Sequence, residues 1–317
     1  MKAVYNFTEI DTAQTPADWH SRAFQYGDGL FETMMLQKGT VRFLADHYQR
    51  LTEGMAALQM TVPPGLSAEY LQAAARDLAK FAQNADAIGD IKNPATGGNA
   101  HSIIPPSNHS KLTRRVRLHV WRKPGGLYTP TSHGADFLLA VQPSVPPVVS
   151  IKEKVIFYED IRLCRSAISP FKTGSALPYV MAGLARKNAG ADDAILLDTN
   201  GFVAECVASN LFWLKIANPA IGRNAQNENP AAGNATVFTP SLASGCVAGV
   251  MRKNIIDGLS RHGLSVEERL FKKADLLAAD AVFCCNVAGI QWIRRIEDTV
   301  FDSLAEFTVV LQWILEQ

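Results

Sequence analysis

The chain lacks the features that announce several function classes. None of its apolar runs approaches the roughly 18–20 residues that span a bilayer. The start, MKAVYNFTEI, is broken at Asn6, Thr8 and Glu9, which predicts no signal-peptide core. Charge of one sign is not in excess: 31 Lys and Arg face 30 Asp and Glu, a net of +1. That leaves no surplus to neutralise a phosphate backbone or a membrane surface, so neither nucleic acid nor membrane is expected as a partner. Cysteine is scarce. Cys164, Cys206, Cys246, Cys284 and Cys285 make an odd set without a CxxC pair. This predicts reduced thiols in a cytoplasmic protein, not a disulfide framework or a zinc site. The seven histidines include no HExxH or other ligand-spaced cluster, so no metal site is expected.

What remains is a globular composition, 47% hydrophobic and 19% charged over 317 residues. That length suits two domains and a small-molecule partner. The boundary is expected at Pro143-Ser144-Val145-Pro146-Pro147, because prolines favour extended chain. This gives a small N-terminal α/β domain at 1–145 and a larger C-terminal domain at 150–317.

Hydrophobic spacing supplies the elements. GTVRFL (39–44) reads as a strand running into a helix whose face carries Leu44, Tyr48, Leu51, Met55 and Leu58; Leu71, Ala75, Leu78 and Phe81 mark a second helix. RRVRLHVW (114–121) alternates as a half-buried strand, and FLLAV (137–141) reads as a buried one. Downstream, KVIFY (154–158), LFWLKI (211–216), VFTP (237–240) and AVFCCNVAGIQWI (281–293) read as strand. AILLDTNGFVAE (194–205) reads as a hairpin about Asn200-Gly201. Leu177, Val180, Met181 and Leu184 predict an amphipathic helix, and another starts near 249. Polar inserts occupy 84–111 and 217–235, the first expected to be a mobile loop. The mixture is α+β in both halves.

Four features can carry chemistry. Lys172 lies among small and apolar residues in AISPFKTGSALP, where desolvation would make it an amine nucleophile. Taken alone, such a lysine is more commonly one that snorkels to the surface. Glu205 ends a strand beside Cys206 and Val207, a place where a carboxylate needs a cationic or N–H partner unless it is solvated. Gly245 to Arg252 runs two glycines into a helix, and bare N–H groups there suit an anion such as phosphate. Arg50, in DHYQRL, can add a charge-assisted contact or simply sit on a solvated face.

Together these segments resemble the fold-type IV pyridoxal-phosphate enzymes, the class IV aminotransferase family. RAFQYGDGLFETMML (22–36) with HYQRL (47–51) is similar to the family's N-terminal signature, and FKTGSALPYVMAGLARKNAGADDAILLD (171–198) to its lysine segment. GFVAECVASNLFWLK (201–215) and GCVAGVMR (245–252) complete the set in family order. The resemblance covers nearly the whole chain apart from the two inserts. It implies a two-domain, D-amino acid aminotransferase-like α+β fold with pyridoxal 5'-phosphate between the domains, and a homodimer. It also implies that Lys172, in the C-terminal domain, forms the Schiff base with the cofactor and moves the substrate Cα proton. Glu205 would pair with the ring nitrogen. Arg50, the N–H groups of Val250 and Met251, and Asn286 would hold or lie near the phosphate.

The branch is read from departures. Branched-chain transaminases usually show Phe-Glu-Gly and a Tyr five residues after the lysine, whereas this chain has Phe31-Glu32-Thr33 and Leu177. D-amino acid transaminases use an Arg where Leu127 stands. The 4-amino-4-deoxychorismate lyases are nearer at Thr33, Leu177, the run from Glu205 to Phe212, and Ala248, while GIQWI (289–293) departs from them. The expectation is therefore a lyase releasing pyruvate and 4-aminobenzoate, with Thr33 as proton relay or a plain strand residue. Amino-group exchange between an amino acid and a 2-oxo acid is the alternative.

Overall fold

A computed structural model describes residues 2–11, 20–82, 101–102, 113–216, 235–302 and 305–316. The insert at 84–111 lies outside the described residues apart from 101–102, and the insert at 217–235 apart from Ala235. The chain divides into two compact units.

The first unit comprises the described residues of Met1–Asn93, Ser107–Pro146 and Ala167–Ala176. Its strands are β1 (Lys2–Tyr5), β2 (Thr8–Asp11), β3 (Gly29–Gln37), β4 (Thr40–Val41), β6 (Thr113–Arg122) and β7 (Ala135–Pro143). They form one sheet in the order β2-β1-β7-β6-β3-β4, with every neighbouring pair antiparallel. Helix α1 (Arg22–Tyr26) precedes β3, while α2 (Leu44–Ala57) and α3 (Ala68–Ala82) cover one face of the sheet. Successive strand residues point to opposite faces. Accordingly Leu30, Met34 and Leu36 of β3 and Val116, Leu118 and Val120 of β6 enter a core with Leu51 and Met55 of α2 and Leu71, Ala75 and Leu78 of α3.

The segment Ala167–Ala176, which carries Lys172, groups with this first unit and not with the second half to which the sequence assigned it. The reason is backbone pairing. β4 reaches only Leu36 and Gln37 on its edge of β3, and the other end of β3 bonds to the 172–174 backbone instead.

The second unit holds two sheets. One is built from β9 (Val155–Leu163), β10 (Asp193–Asp198), β11 (Val203–Cys206), β17 (Arg295–Ile296) and β18 (Thr299–Val300), in the order β11-β10-β9-β17-β18. The other contains β5 (His101–Ser102), β8 (Val148–Lys152), β12 (Asn210–Ile216), β13 (Ala235–Pro240), β14 (Ser265–Arg269), β15 (Ala281–Asn286) and β16 (Gly289–Ile293). Its order is β14-β13-β12-β15-β16-β8-β5. Ile195, Leu197, Val203 and Cys206 of the first sheet share a core with Leu211, Trp213, Val282 and Cys284 of the second. The hairpin at Asn200-Gly201 joins β10 to β11, and Gly201 takes φ +76°, which a side chain would resist. Helix α4 (Leu177–Asn188) packs on β9 and β10. The remaining helices are α5 (Val250–Arg261), α6 (Lys273–Leu277) and α7 (Ala305–Glu316), with α5 against α7, β14 and β15.

Helix α4 departs from expectation in its facing. Leu177, Val180, Met181 and Leu184 are exposed, 65% and 54% for the first two. The face turned to the sheet carries Tyr179, Ala182 and Ala185 instead. Small alanines let the helix backbone approach closely, so the bulky stripe is left outward.

Candidate active site

In the first unit, the lysine is placed by its backbone. The Phe31 N–H donates to the Lys172 carbonyl at 2.8 Å, the Gly174 N–H donates to the Gly29 carbonyl at 2.8 Å, and Leu30 bridges Thr173. The Lys172 Nζ then lies 4.9 Å from the centre of the Phe31 ring. Strand alternation puts Phe31 and Thr33 on one face of β3. Across the ladder, Thr33 is the register partner of Arg117 and Phe31 that of His119. The Arg117 guanidinium sits 5.4 Å from the Phe31 ring centre, and the His119 ring stacks on Phe31 at 5.8 Å.

This face carries Arg115 and Arg117, and among the described residues no carboxylate is ion-paired with Arg117. Arg117 Nε is buried without a hydrogen-bond partner among the described residues. Burial, then the neighbouring Arg115 charge, pull its pKa below the ordinary arginine value. Burial and Arg117 likewise depress His119, which favours its neutral form at pH 7.

The opposite face of β3 holds a closed ion-pair cluster. Glu32 accepts from Arg50 Nε at 2.8 Å, from Arg50 Nη2 at 2.5 Å and is bonded to His47 Nδ1 at 2.7 Å. All three side chains are buried. Burial alone would raise the Glu32 pKa, but the Arg50 charge and the bonds from His47 and Arg50 outweigh it and bring it down to about 2. Arg50 is thus oriented by Glu32, with two of its donor groups committed to that carboxylate.

In the second unit, Glu205 sits at the end of β11 and is only 4% exposed. It accepts from the Tyr179 hydroxyl at 2.7 Å, the Val247 N–H at 3.0 Å and Asn210 Nδ2 at 3.1 Å. Asn210 Nδ2 also donates to the Val247 carbonyl at 2.9 Å, tying the strand to the 245–249 turn. Gly249 is required there, since a Cβ on it would lie 1.9 Å from Asn210 Oδ1. As N-cap of α5, Gly249 also offers no side-chain acceptor to the first-turn N–H groups of Val250 and Met251. An uncapped helix start with its dipole is suited to a phosphate, so the residues present fit such a group. Asn286 is engaged within the protein: its Nδ2 donates to the Ala208 carbonyl and Ser209 Oγ, and its Oδ1 accepts from the Ala288 N–H.

A second polar cluster lies in the core of this unit. Asp193, Cys206 and Cys284 bring their oxygen and sulfur atoms within 4.8 Å of one another, a grouping that spacing along the chain does not reveal. The Lys152 ammonium is ion-paired with Asp193 there, so an internal cation already serves the carboxylate. All five cysteines are free thiols.

Tyr179, Asn210, Arg117, His119 and the Glu32–His47 pair are candidate site residues that only the structure brings out. Only the strand face had a local signal, since the charges of RRVRLHVW alternate with its apolar residues. The others depend on pairing between distant segments.

The family model for class IV amino-transferases matches residues 29–296. The chain belongs to the class IV aminotransferase family. It is 26% identical over 311 residues to the aminodeoxychorismate lyase of Vibrio harveyi, covering 94% of this chain and 95% of that protein. To a probable branched-chain-amino-acid aminotransferase of Rickettsia typhi it is 27% identical over 263 residues, covering 81% and 73%. Among solved structures, the branched-chain amino acid aminotransferase from Escherichia coli superposes with a TM-score of 0.74 at 20% identity, over 98% of this chain and 91% of that one. The class IV chain is thus an enzyme with the fold-type IV, α+β architecture. No helix among the described residues is long and apolar enough to cross a membrane.

Proposed function

We propose that this class IV enzyme binds pyridoxal 5'-phosphate and acts as a 4-amino-4-deoxychorismate lyase, splitting its substrate into pyruvate and 4-aminobenzoate. The observation that carries this reading is the cationic face beside Lys172. Arg117, half-buried and without a hydrogen-bond partner for Nε among the described residues, faces Thr33 across the ladder. A half-buried guanidinium fits a substrate carboxylate, and this substrate carries two. Thr33, Leu177 and Ala248, where this chain resembles the lyases, support the same branch.

When bound, the cofactor would supply an electron-withdrawing ring that stabilises negative charge at the amino-bearing carbon. In this reading Lys172 anchors it and takes the proton from that carbon. Glu205 would pair with the ring nitrogen and keep it protonated. The N–H groups of Val250 and Met251 would hold the phosphate, Arg50 and Asn286 are the further phosphate residues that the family resemblance implies, and Arg117 would grip a substrate carboxylate. The carbon–oxygen bond on the neighbouring ring carbon breaks, and the departing enol gains a proton, relayed by Thr33, to become pyruvate. The balance needs no oxidant and no second substrate.

Amino-group exchange is the second reading, because Arg117 would equally suit the side-chain carboxylate of an acidic amino donor. The test is to give the cofactor-loaded enzyme aminodeoxychorismate in one series, and L- or D-amino acids with a 2-oxo acid in another. The lyase reading expects pyruvate and 4-aminobenzoate in equal amounts from the first series. New amino acid from the second series, with no 4-aminobenzoate from the first, would sink it. A homodimer and a cytoplasmic location belong to the same proposal. Support comes from the exposed apolar stripe of α4, which a partner copy would cover, and from the free thiols.

A further inference from the structure

Glu205 is a carboxylate almost wholly removed from water, and such a group stays ionised only if donors replace its hydration. Three donors do so, each from a different segment: the Tyr179 hydroxyl from α4, Asn210 Nδ2 from β12 and the Val247 N–H from the turn before α5. The shortest of the three is the bond from Tyr179, at 2.7 Å. It links the helix following the lysine to the carboxylate.

We infer that Tyr179 is a positioning residue for the cofactor ring: its hydroxyl, donating to Oε1, holds Glu205 ionised and fixed in direction. The inference rests on the reading that Glu205 meets the ring nitrogen. Tyr179 keeps its proton for this role, because burial and the Glu205 charge both push the phenol upward. Among the described residues, α4 brings the titratable Tyr179 to Glu205 and the turn brings Cys246; β12 brings Asn210, and β10 brings Leu196 as register partner. Burial and Glu205 raise Cys246 to about 12, so it stays a neutral thiol over the working range. No competing charge from these elements therefore changes between pH 5 and 9.

The test is the pH dependence of pyridoxal 5'-phosphate affinity, measured on the cofactor-free full chain by equilibrium dialysis. Wild type, Tyr179→Phe and Glu205→Gln are compared, with unfolding curves of each to check folding. Wild type is expected to lose affinity on the acid side as the carboxyl is protonated. In Tyr179→Phe that limb should move up by about one pH unit, which is about tenfold weaker binding on the acid side, with affinity kept within threefold at pH 8.5. Glu205→Gln should lack the limb. A Tyr179→Phe limb that coincides with wild type, or a loss equal at every pH, overturns the positioning role while leaving Glu205 in place. Wild-type affinity and limb in Glu205→Gln would instead overturn the assignment of Glu205 to the cofactor.

Discussion

Replacing Glu32 by Gln should destabilise the first unit through an uncompensated buried cation. Arg50 donates twice to this carboxylate, and both side chains are under a tenth exposed. Glu32 falls from an ordinary 4.5 to about 2 in the folded protein. At about 1.4 kcal/mol per pKa unit, that depression amounts to about 3 kcal/mol of stability at pH 7. Loss of one partner of a buried pair costs a similar amount, about 3–5 kcal/mol. Because the folded value is the lower one, the contribution is full above the unfolded pKa and fades as pH falls from about 4.5 towards 2. The assay is urea unfolding of cofactor-free wild type and Glu32→Gln at pH 7 and pH 3. The difference should be about 3 kcal/mol at pH 7, roughly 6–12 °C in Tm, and less than half of that at pH 3. Adding Arg50→Met should recover part of the loss, since the pair is then removed together. A difference under 1 kcal/mol at pH 7, or one independent of pH, would refute the reasoning.

Three further outcomes follow from the geometry. Gly249→Ala forces a methyl group against Asn210 Oδ1. At about 1–3 kcal/mol for such overpacking, cofactor affinity measured by dialysis should fall roughly 5- to 150-fold, and an unchanged Kd would contradict it. Lys152→Met leaves Asp193 buried beside two thiols without its cation, which should cost about 3–5 kcal/mol in urea unfolding; under 1 kcal/mol would mean that the pair contributes nothing net. Arg117→Leu should raise KM for aminodeoxychorismate roughly 10- to 100-fold, the loss of one charge-assisted bond, while cofactor Kd stays within twofold. Equal KM values would remove Arg117 from substrate recognition.

Much of the fold is legible in local spacing. The faces read for α2 and α3 place Leu51, Met55, Leu71, Ala75 and Leu78 in the core, and Asn200-Gly201 makes the turn between β10 and β11. The family is legible because four short segments, including those around Lys172 and Glu205, each carry recognisable chemistry. The facing of α4 is not, since the apolar moment of Leu177, Val180, Met181 and Leu184 points one way while Ala182 and Ala185 decide the packing. Nor is the lysine's unit: Lys172 follows the proline-rich stretch in sequence, but its carbonyl accepts from the Phe31 N–H and the nearby Gly174 N–H donates to the Gly29 carbonyl. Tyr179 and Asn210 meet Glu205 only through register and helix placement, which a single sequence does not state. The same holds for Lys152, Asp193, Cys206 and Cys284, one residue from each of four strands.

The proposed function stands on Lys172 as the residue that carries the cofactor. Borohydride reduction of the pyridoxal 5'-phosphate-loaded enzyme, followed by peptide mass analysis, tests it directly. One stable cofactor adduct is expected, on the peptide containing Lys172. An adduct at another lysine, or none in a protein that retains the cofactor, would contradict it.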